Sequence, residues 1–109
     1  SPPPGARMTG REKIWNLLGL ACRARKTICG AGAAEKFLKK HRVPLMFIAS
    51  DGGDNAVKYR RLAERHSMTV IDIFTKEELG EAVGKAQNVV ILLDDPGFAK
   101  AIDDVSKMM

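Results

Sequence analysis

The stretch Ile28–Lys36, "ICGAGAAEK", places two glycines before the alanine-rich start of a predicted helix. Glycines at a strand-to-helix turn let backbone N–H groups approach a phosphate at the positive end of the helix. Gly30 and Gly32 match the first two glycines of the dinucleotide-binding pattern G-x-G-x-x-G, but Glu35 occupies the position of the third glycine. Because a carboxylate there would repel an anionic ligand, we expect no nucleotide cofactor.

Two further groups of residues could do chemistry, and each has a simpler structural explanation. Asp94 and Asp95 are adjacent acids, but Asp95 followed by Pro96 is typical of a helix N-cap and first turn. Cys22 and Cys29 are separated by six residues, a spacing that matches neither a zinc pair nor a redox pair. We interpret these cysteines as small buried thiols, and we expect no metal, no cofactor and no enzymatic activity.

Length and composition predict one compact domain. The chain has 109 residues, of which 45% are hydrophobic and 28% charged, as in globular proteins. Its apolar runs are too short to span a membrane, and its start lacks a secretion signal, so we expect a cytoplasmic protein. We interpret residues 1–8 as a flexible arm, a cloning remnant or a linker from a preceding domain. Residues 9–109 are expected to form the single folded domain.

The distribution of charge predicts a polyanionic partner. The chain has 18 basic and 13 acidic residues, hence +5, but residues 1–71 hold 14 basic and 5 acidic residues, hence +9. Residues 72–109 hold 4 basic and 8 acidic residues, hence −4. The segment Arg23–Arg42 has seven basic residues and one acidic residue around the glycine turn. Such a basic stretch in an otherwise balanced domain is typical of nucleic-acid binding.

The elements that must position these residues alternate along the chain. Helical spacing predicts a first helix from about Thr9 to Arg23, with Trp15 anchoring it against a sheet. Thr27–Cys29 predicts a short strand, and the glycines lead into a second helix whose lysines are solvated. The segments "LMFIA", "TVIDIF" and "NVVILL" predict three further strands, the first of them buried on both faces.

Three more helices complete the pattern. The turn "SDGGD" predicts an N-capped third helix with Val57, Leu62 and Ala63 on its apolar side. Thr75 and Glu78 have the spacing of a capping box for the fourth helix, and a glycine ends that helix. Helices that alternate with strands predict helices on both faces of a central sheet. The predicted fold class is therefore α/β, although strand order cannot be derived from the sequence alone.

Four segments in this order and spacing resemble one known family: "NLLGLACRARKTICGAGAAEKFLKK", "LMFIASD", "TKEELGEAVGK" and "VVILLDDPGFAKAI". They look like the L-seven-Ae/L-thirty-e superfamily of kink-turn RNA-binding ribosomal proteins, and within it the bacterial YlxQ-like branch. This resemblance implies a three-layer α/β/α sandwich with a central mixed four-stranded sheet. It also implies that the domain is not an enzyme and holds RNA at the N-terminus of the second helix.

In kink-turn binders the glycine loop has the pattern G-x-N-E, followed three residues later by a lysine. Gly30 and Lys36 match this glycine and this lysine, but Gly32 and Ala33 replace the Asn and Glu that contact purine edges. The resemblance also implies a second contact, from the loop before the last strand, which is more polar here than in kink-turn binders. Together, the basic segment and the resemblance give the complete set of candidate RNA-binding residues: Arg25, Lys26, Gly30, Ala31, Gly32, Ala33, Lys36, Lys85, Ala86, Gln87 and Asn88.

These observations leave three hypotheses open. The first is a non-enzymatic protein that binds structured RNA, with ribosomal RNA, the ribosome or an assembly intermediate as the expected partner. The second is a protein-interaction module that has lost kink-turn binding, which the missing Asn-Glu pair favours. The third is the RNA-recruiting domain of a larger protein.

Overall fold

The computed structural model describes residues 7–109, so most of the predicted N-terminal arm, residues 1–6, lies outside the described part. Within residues 7–109, helices and strands alternate as the sequence predicts. Their bounds are α1 Gly10–Arg23, β1 Thr27–Cys29, α2 Ala31–Leu38, β2 Leu45–Ile48, α3 Gly53–Arg65, β3 Thr69–Ile71, α4 Lys76–Val83, β4 Val90–Leu93 and α5 Pro96–Lys107.

The four strands form one mixed sheet in the order β1-β4-β2-β3. Strand β4 is antiparallel to both of its neighbours, with Cys29 opposite Ile91 and Ile48 opposite Val90. Strands β2 and β3 are parallel, which the long crossover through α3 permits. The mixed four-stranded sheet predicted from the family resemblance is confirmed.

The central strands are buried on both faces, because alternate side chains pack against two separate layers of helices. Leu45 and Phe47 of β2 lie in a core formed with α1, α4 and α5. Met46 and Ile48 lie in a second core formed with α2 and α3. The predicted three-layer α/β/α sandwich is therefore confirmed. The sequence of β2 is continuously apolar because, as predicted, this strand is buried on both faces.

Local capping signals define several helix ends as predicted. The Thr75 hydroxyl accepts from the Glu78 backbone N–H at 3.2 Å, and the Glu78 carboxylate accepts from the Thr75 N–H at 3.0 Å. The Asp95 carboxylate accepts from the Phe98 N–H at 2.8 Å, which confirms its capping role. Gly84 ends α4 in the left-handed conformation with φ 73°.

Two expectations about α3 are wrong. Val57 is 48% exposed rather than inward-facing. Ala63 is buried as predicted, together with Ala56 and Tyr59, and Leu62 is partly buried against the same core. Small alanines let this helix lie close to the sheet. The buried face is therefore the one that fits against the sheet, and not the one that contains the more apolar Val57. The turn before α3 provides no side-chain cap, because the Asp51 carboxylate instead accepts from the Lys76 N–H at 2.8 Å, at the start of α4.

One predicted anchor has an additional contact, and one predicted strand is shorter than expected. The Trp15 indole N–H donates to the Glu78 carbonyl at 3.0 Å, so Trp15 connects α1 to α4 as well as packing on the core. The "TVIDIF" segment forms a strand only over Thr69–Ile71, after which the chain turns toward α4. Over the described residues, every helix is too short or too polar to cross a lipid bilayer.

Candidate functional site

Gly30 joins the first strand directly to the second helix. Its N–H donates to the Val90 carbonyl at 3.0 Å, which extends the β1–β4 pairing, and its carbonyl accepts from the Ala34 N–H at 2.9 Å, inside α2. To satisfy both bonds the backbone adopts φ +93°, a conformation that favours glycine. The sequence thus places a glycine where the chain turns from strand to helix within one residue.

The loop between α4 and β4, Lys85–Asn88, lies beside Gly30. Asn88 is buried, and its side-chain Oδ1 lies 3.7 Å from the position that a Cβ on Gly30 would occupy. The two loops meet because β1 and β4 are antiparallel neighbours, so the end of one strand faces the start of the other. The structure thus places next to each other the two segments that the family resemblance implies for RNA contact.

Gly80 fixes the position of the second loop. A Cβ at Gly80 would lie 2.7 Å from the Ala86 carbonyl oxygen and 2.8 Å from that of Lys85. The loop therefore folds back onto α4 at a distance that only glycine allows, and the Lys85 N–H donates to the Gly80 carbonyl at 2.8 Å. Lys85, Ala86 and Gln87 remain exposed at the surface of this loop.

Cys29 lies immediately before the glycine turn and is half-buried rather than fully buried, as is Cys22. Burial raises the pKa of the Cys29 thiol, whereas the Thr27 hydroxyl and the positive charge of Lys85 act in the opposite direction. A raised pKa disfavours the thiolate, so this thiol is a poor nucleophile. In residues 7–109 no group of three or more His, Cys, Asp or Glu side chains could hold a metal ion.

Tyr59 fixes the first turn of α2, a role that sequence reasoning missed. This buried side chain extends from α3, and its hydroxyl donates to the Ala31 carbonyl at 2.8 Å. Burial raises the pKa of the Tyr59 hydroxyl, and the nearby carboxylate of Glu35 raises it further. Nearby, the Lys58 ammonium lies 3.4 Å from the same carboxylate, which adds a second link between α2 and α3. The spacing of Ala56, Tyr59 and Ala63 is the pattern that could have indicated this inward face.

Gly32 and Ala33 are exposed in the first turn of α2. No atom lies within 4 Å of the position that a Cβ on Gly32 would take, and this turn contains no acidic residue and no side-chain cap. Its backbone N–H groups are therefore not covered by a capping side chain, and the helix dipole is positive at this end. Lys36 is exposed three residues beyond Ala33, on the same side of the helix.

Arg25 and Lys26 are exposed but lie at the opposite end of β1 from Gly30. The Lys26 carbonyl accepts from the Asp94 N–H at 2.8 Å, at the far end of β4. Lys26 and Gly30 are four positions apart along extended chain, roughly 13 Å at the usual strand rise. A ligand that contacts both must therefore extend along the edge strand.

The fold and the two adjoining loops define the class of protein. It is a three-layer α/β/α domain in which a helix with a glycine N-cap lies beside a polar loop. The family model described as "Ribosomal protein L7Ae/L30e/S12e/Gadd45 family" matches residues 12–102. The chain belongs to this family, and the prediction of a non-enzymatic domain is confirmed.

The chain is similar to two proteins named "RNA-binding protein YlxQ". The one from Enterococcus faecium is 30% identical over 91 residues, which cover 83% of this chain and 87% of that protein. The one from Bacillus subtilis (strain 168) is 31% identical over 96 residues, which cover 87% and 95%. These relatives confirm the predicted YlxQ-like branch of the superfamily.

Solved structures agree with the fold. A Bacillus halodurans protein of unknown function superimposes with a TM-score of 0.77 at 30% identity, covering 87% of this chain and 97% of its own. A Giardia lamblia 15.5kD RNA binding protein superimposes with a TM-score of 0.76 at 17% identity, covering 97% and 92%. At that lower identity, the second similarity concerns the fold alone.

Proposed function

We propose that this protein binds structured RNA, with ribosomal RNA as the expected class, through the glycine loop, the N-terminus of α2 and the loop Lys85–Asn88. The observation that carries the proposal is the contact between the two loops, where Asn88 lies against Gly30. The names of the two YlxQ relatives support RNA as the ligand. The basic segment Arg23–Arg42 supplies the charge that an RNA backbone requires.

The proposed mode of binding is directed mainly at phosphates. The first turn of α2 is exposed and has the positive end of a helix dipole, Lys36 lies in the next turn, and Lys85 lies in the adjoining loop. Gly32 and Ala33 provide no side chain that can form hydrogen bonds with a base edge. Contacts of this kind determine position on the RNA but not its sequence. We therefore propose weak discrimination between a kink-turn and other bent or structured RNAs.

The salt dependence of affinity tests this proposal. The binding of ribosomal RNA fragments would be measured by filter binding at several salt concentrations, for the wild type and for a triple alanine variant of Arg25, Lys26 and Lys36. Each lost phosphate contact makes the negative slope of log K against log salt less steep by about 0.7 to 0.9. The slope of the triple variant is therefore expected to be less steep than that of the wild type by about two to three. An unchanged slope would contradict the proposed surface.

A matched control removes the same charge elsewhere. Lys13, Lys100 and Lys107 are exposed on α1 and α5, in the opposite helical layer. Their replacement by alanine changes the net charge by the same amount and is expected to leave the salt slope close to that of the wild type. An equal loss in both variants would mean that overall charge, rather than this surface, governs binding.

A protein-interaction module is the second candidate, favoured by the bare surface at Gly32 and Ala33. Under that alternative the wild type would show no salt-dependent RNA binding at all. If the domain instead recruits RNA for a larger protein, the RNA contacts would be the same and the isolated domain would still bind.

A further inference from the structure

A pocket on the side of α2 lies next to the proposed RNA surface and differs from it in chemistry. Its volume is about 330 Å³, and it is lined by Ile28, Ala33, Lys36, Phe37, Lys40 and His41. Ala33 and Lys36 belong also to the proposed RNA surface, so the two surfaces are continuous. The pocket lies beyond the glycine loop, toward the end of the helix.

An aromatic pair forms one part of this pocket. The rings of Phe37 and His41 have centroids 4.6 Å apart and planes inclined by 31°. Phe37 packs against the core with Ile28, which holds its ring in place, whereas His41 is exposed. The His41 N–H donates to the Phe37 carbonyl at 3.0 Å, so the backbone also holds the two residues together. The exposed histidine ring can therefore extend the stack by one more planar group.

The charge around the pocket selects the kind of planar group. Lys36 and Lys40 are exposed on its lining, and no acidic residue belongs to that lining as described. Glu35, the acid in the same helix, is paired with Lys58 on the α3 side. The ring pair suits a planar aromatic group, and the two lysines suit a negative charge next to that group. A nucleotide within an RNA strand provides both, as its base and its phosphate.

We infer that this pocket binds one unpaired base of the RNA, stacked on the ring pair of Phe37 and His41, with Lys36 and Lys40 on the adjacent phosphates. This inference rests on the proposed function and deepens it. Stacking on aromatic side chains tolerates any base, since every base has a π-face. The pocket would therefore select RNA with an unpaired nucleotide, even though Gly32 and Ala33 contact no base edge.

The test compares two RNAs of matched length, a stem with one unpaired 2-aminopurine and a fully paired stem that contains the same base. Binding of the wild type is expected to quench 2-aminopurine fluorescence only in the first RNA. The variant His41→Ala is expected to weaken binding of that RNA roughly tenfold, within the usual range for base stacking, and to abolish the quenching. Its salt slope should stay unchanged because the phosphate contacts remain.

Two further variants exclude a merely structural effect. His41→Phe keeps an aromatic ring and should retain the quenching, whereas His66→Ala removes an exposed histidine at the end of α3 and should leave both readouts unchanged. Equal weakening of both RNAs by His41→Ala, or quenching that persists in this variant, would overturn the inference. The proposed function would survive that result if the triple alanine variant of Arg25, Lys26 and Lys36 still shows a reduced salt dependence of binding. A wild type without RNA binding would refute both.

Discussion

The double variant Gly32→Asn with Ala33→Glu tests most directly which chemistry this site lacks. It installs the two side chains that kink-turn binders have at these positions. The structure gives both additions room, because no atom lies within 4 Å of the Gly32 Cβ position and both residues are exposed. The backbone of Gly32 does not adopt the left-handed conformation, so a side chain there causes no strain.

The expected magnitudes follow from this geometry. Replacing glycine by asparagine in the first turn changes helix propensity by only a few tenths of a kcal/mol, and a glutamate there gains about 0.3–1 kcal/mol from the helix dipole. Stability should therefore be unchanged or rise by up to about 1 kcal/mol. Preference for a kink-turn over a control with disrupted sheared G·A pairs should increase by about 1–3 kcal/mol, the usual value of specific base contacts.

Parallel titrations of both RNAs by fluorescence anisotropy, with urea unfolding of each variant, would measure these changes. The single variant Gly32→Ala is the matched control, because it adds a Cβ but no hydrogen-bonding group. It should leave the preference at the wild-type value. The reasoning is refuted if the wild type already prefers the intact kink-turn strongly, or if the folded double variant gains no preference.

Three further variants have distinct expected outcomes. Tyr59→Phe removes the hydrogen bond to the Ala31 carbonyl and should lower the free energy of unfolding by about 1 kcal/mol, with faster amide exchange in the first turn of α2. Arg25→Gly should raise that free energy by about 1 kcal/mol, because Arg25 has φ 60°, and should lower the RNA salt slope by about one. The hydrogen bond from Arg11 and the Thr75 cap hold the pKa of Glu78 below 4.5, so its contribution to stability is present above that pH and is lost as the pH falls. Glu78→Gln should therefore flatten the decline of stability below about pH 4.5 in thermal unfolding, and an unchanged acid limb would contradict this assignment.

The sequence predicted elements whose causes are local. The capping box at Thr75 and the proline after Asp95 each act within a few residues, so their patterns were sufficient to place helix ends. The buried face of α3 depends instead on what the sheet presents, and Tyr59 rather than Val57 occupies it. The bond from Asp51 to the start of α4 joins residues 25 apart, a distance over which sequence periodicity carries no information.

The candidate site follows the same division. The family motif located both loops, but their contact depends on the antiparallel pairing of β1 and β4, which no local pattern specifies. The same pairing separates Lys26 from Gly30, although the two are only four residues apart. The pocket beside Phe37 was not predicted from the sequence, because helical spacing places Phe37 on the inward face of α2 and its partial exposure appears only in three dimensions.

The fold also changes the meaning of the charge distribution along the chain. The positive first part and negative second part do not become opposite faces, because α1 packs in one layer with α4 and α5. Those three helices contain six basic and six acidic residues, and ion pairs such as Arg11–Glu78 and Lys100–Asp104 join some of them. Residues 31–65, which include both helices of the other layer, contain eight basic and four acidic residues. Packing therefore cancels charge in one layer and leaves the excess on the layer of α2 and α3, which is the layer that contributes α2 to the proposed RNA surface.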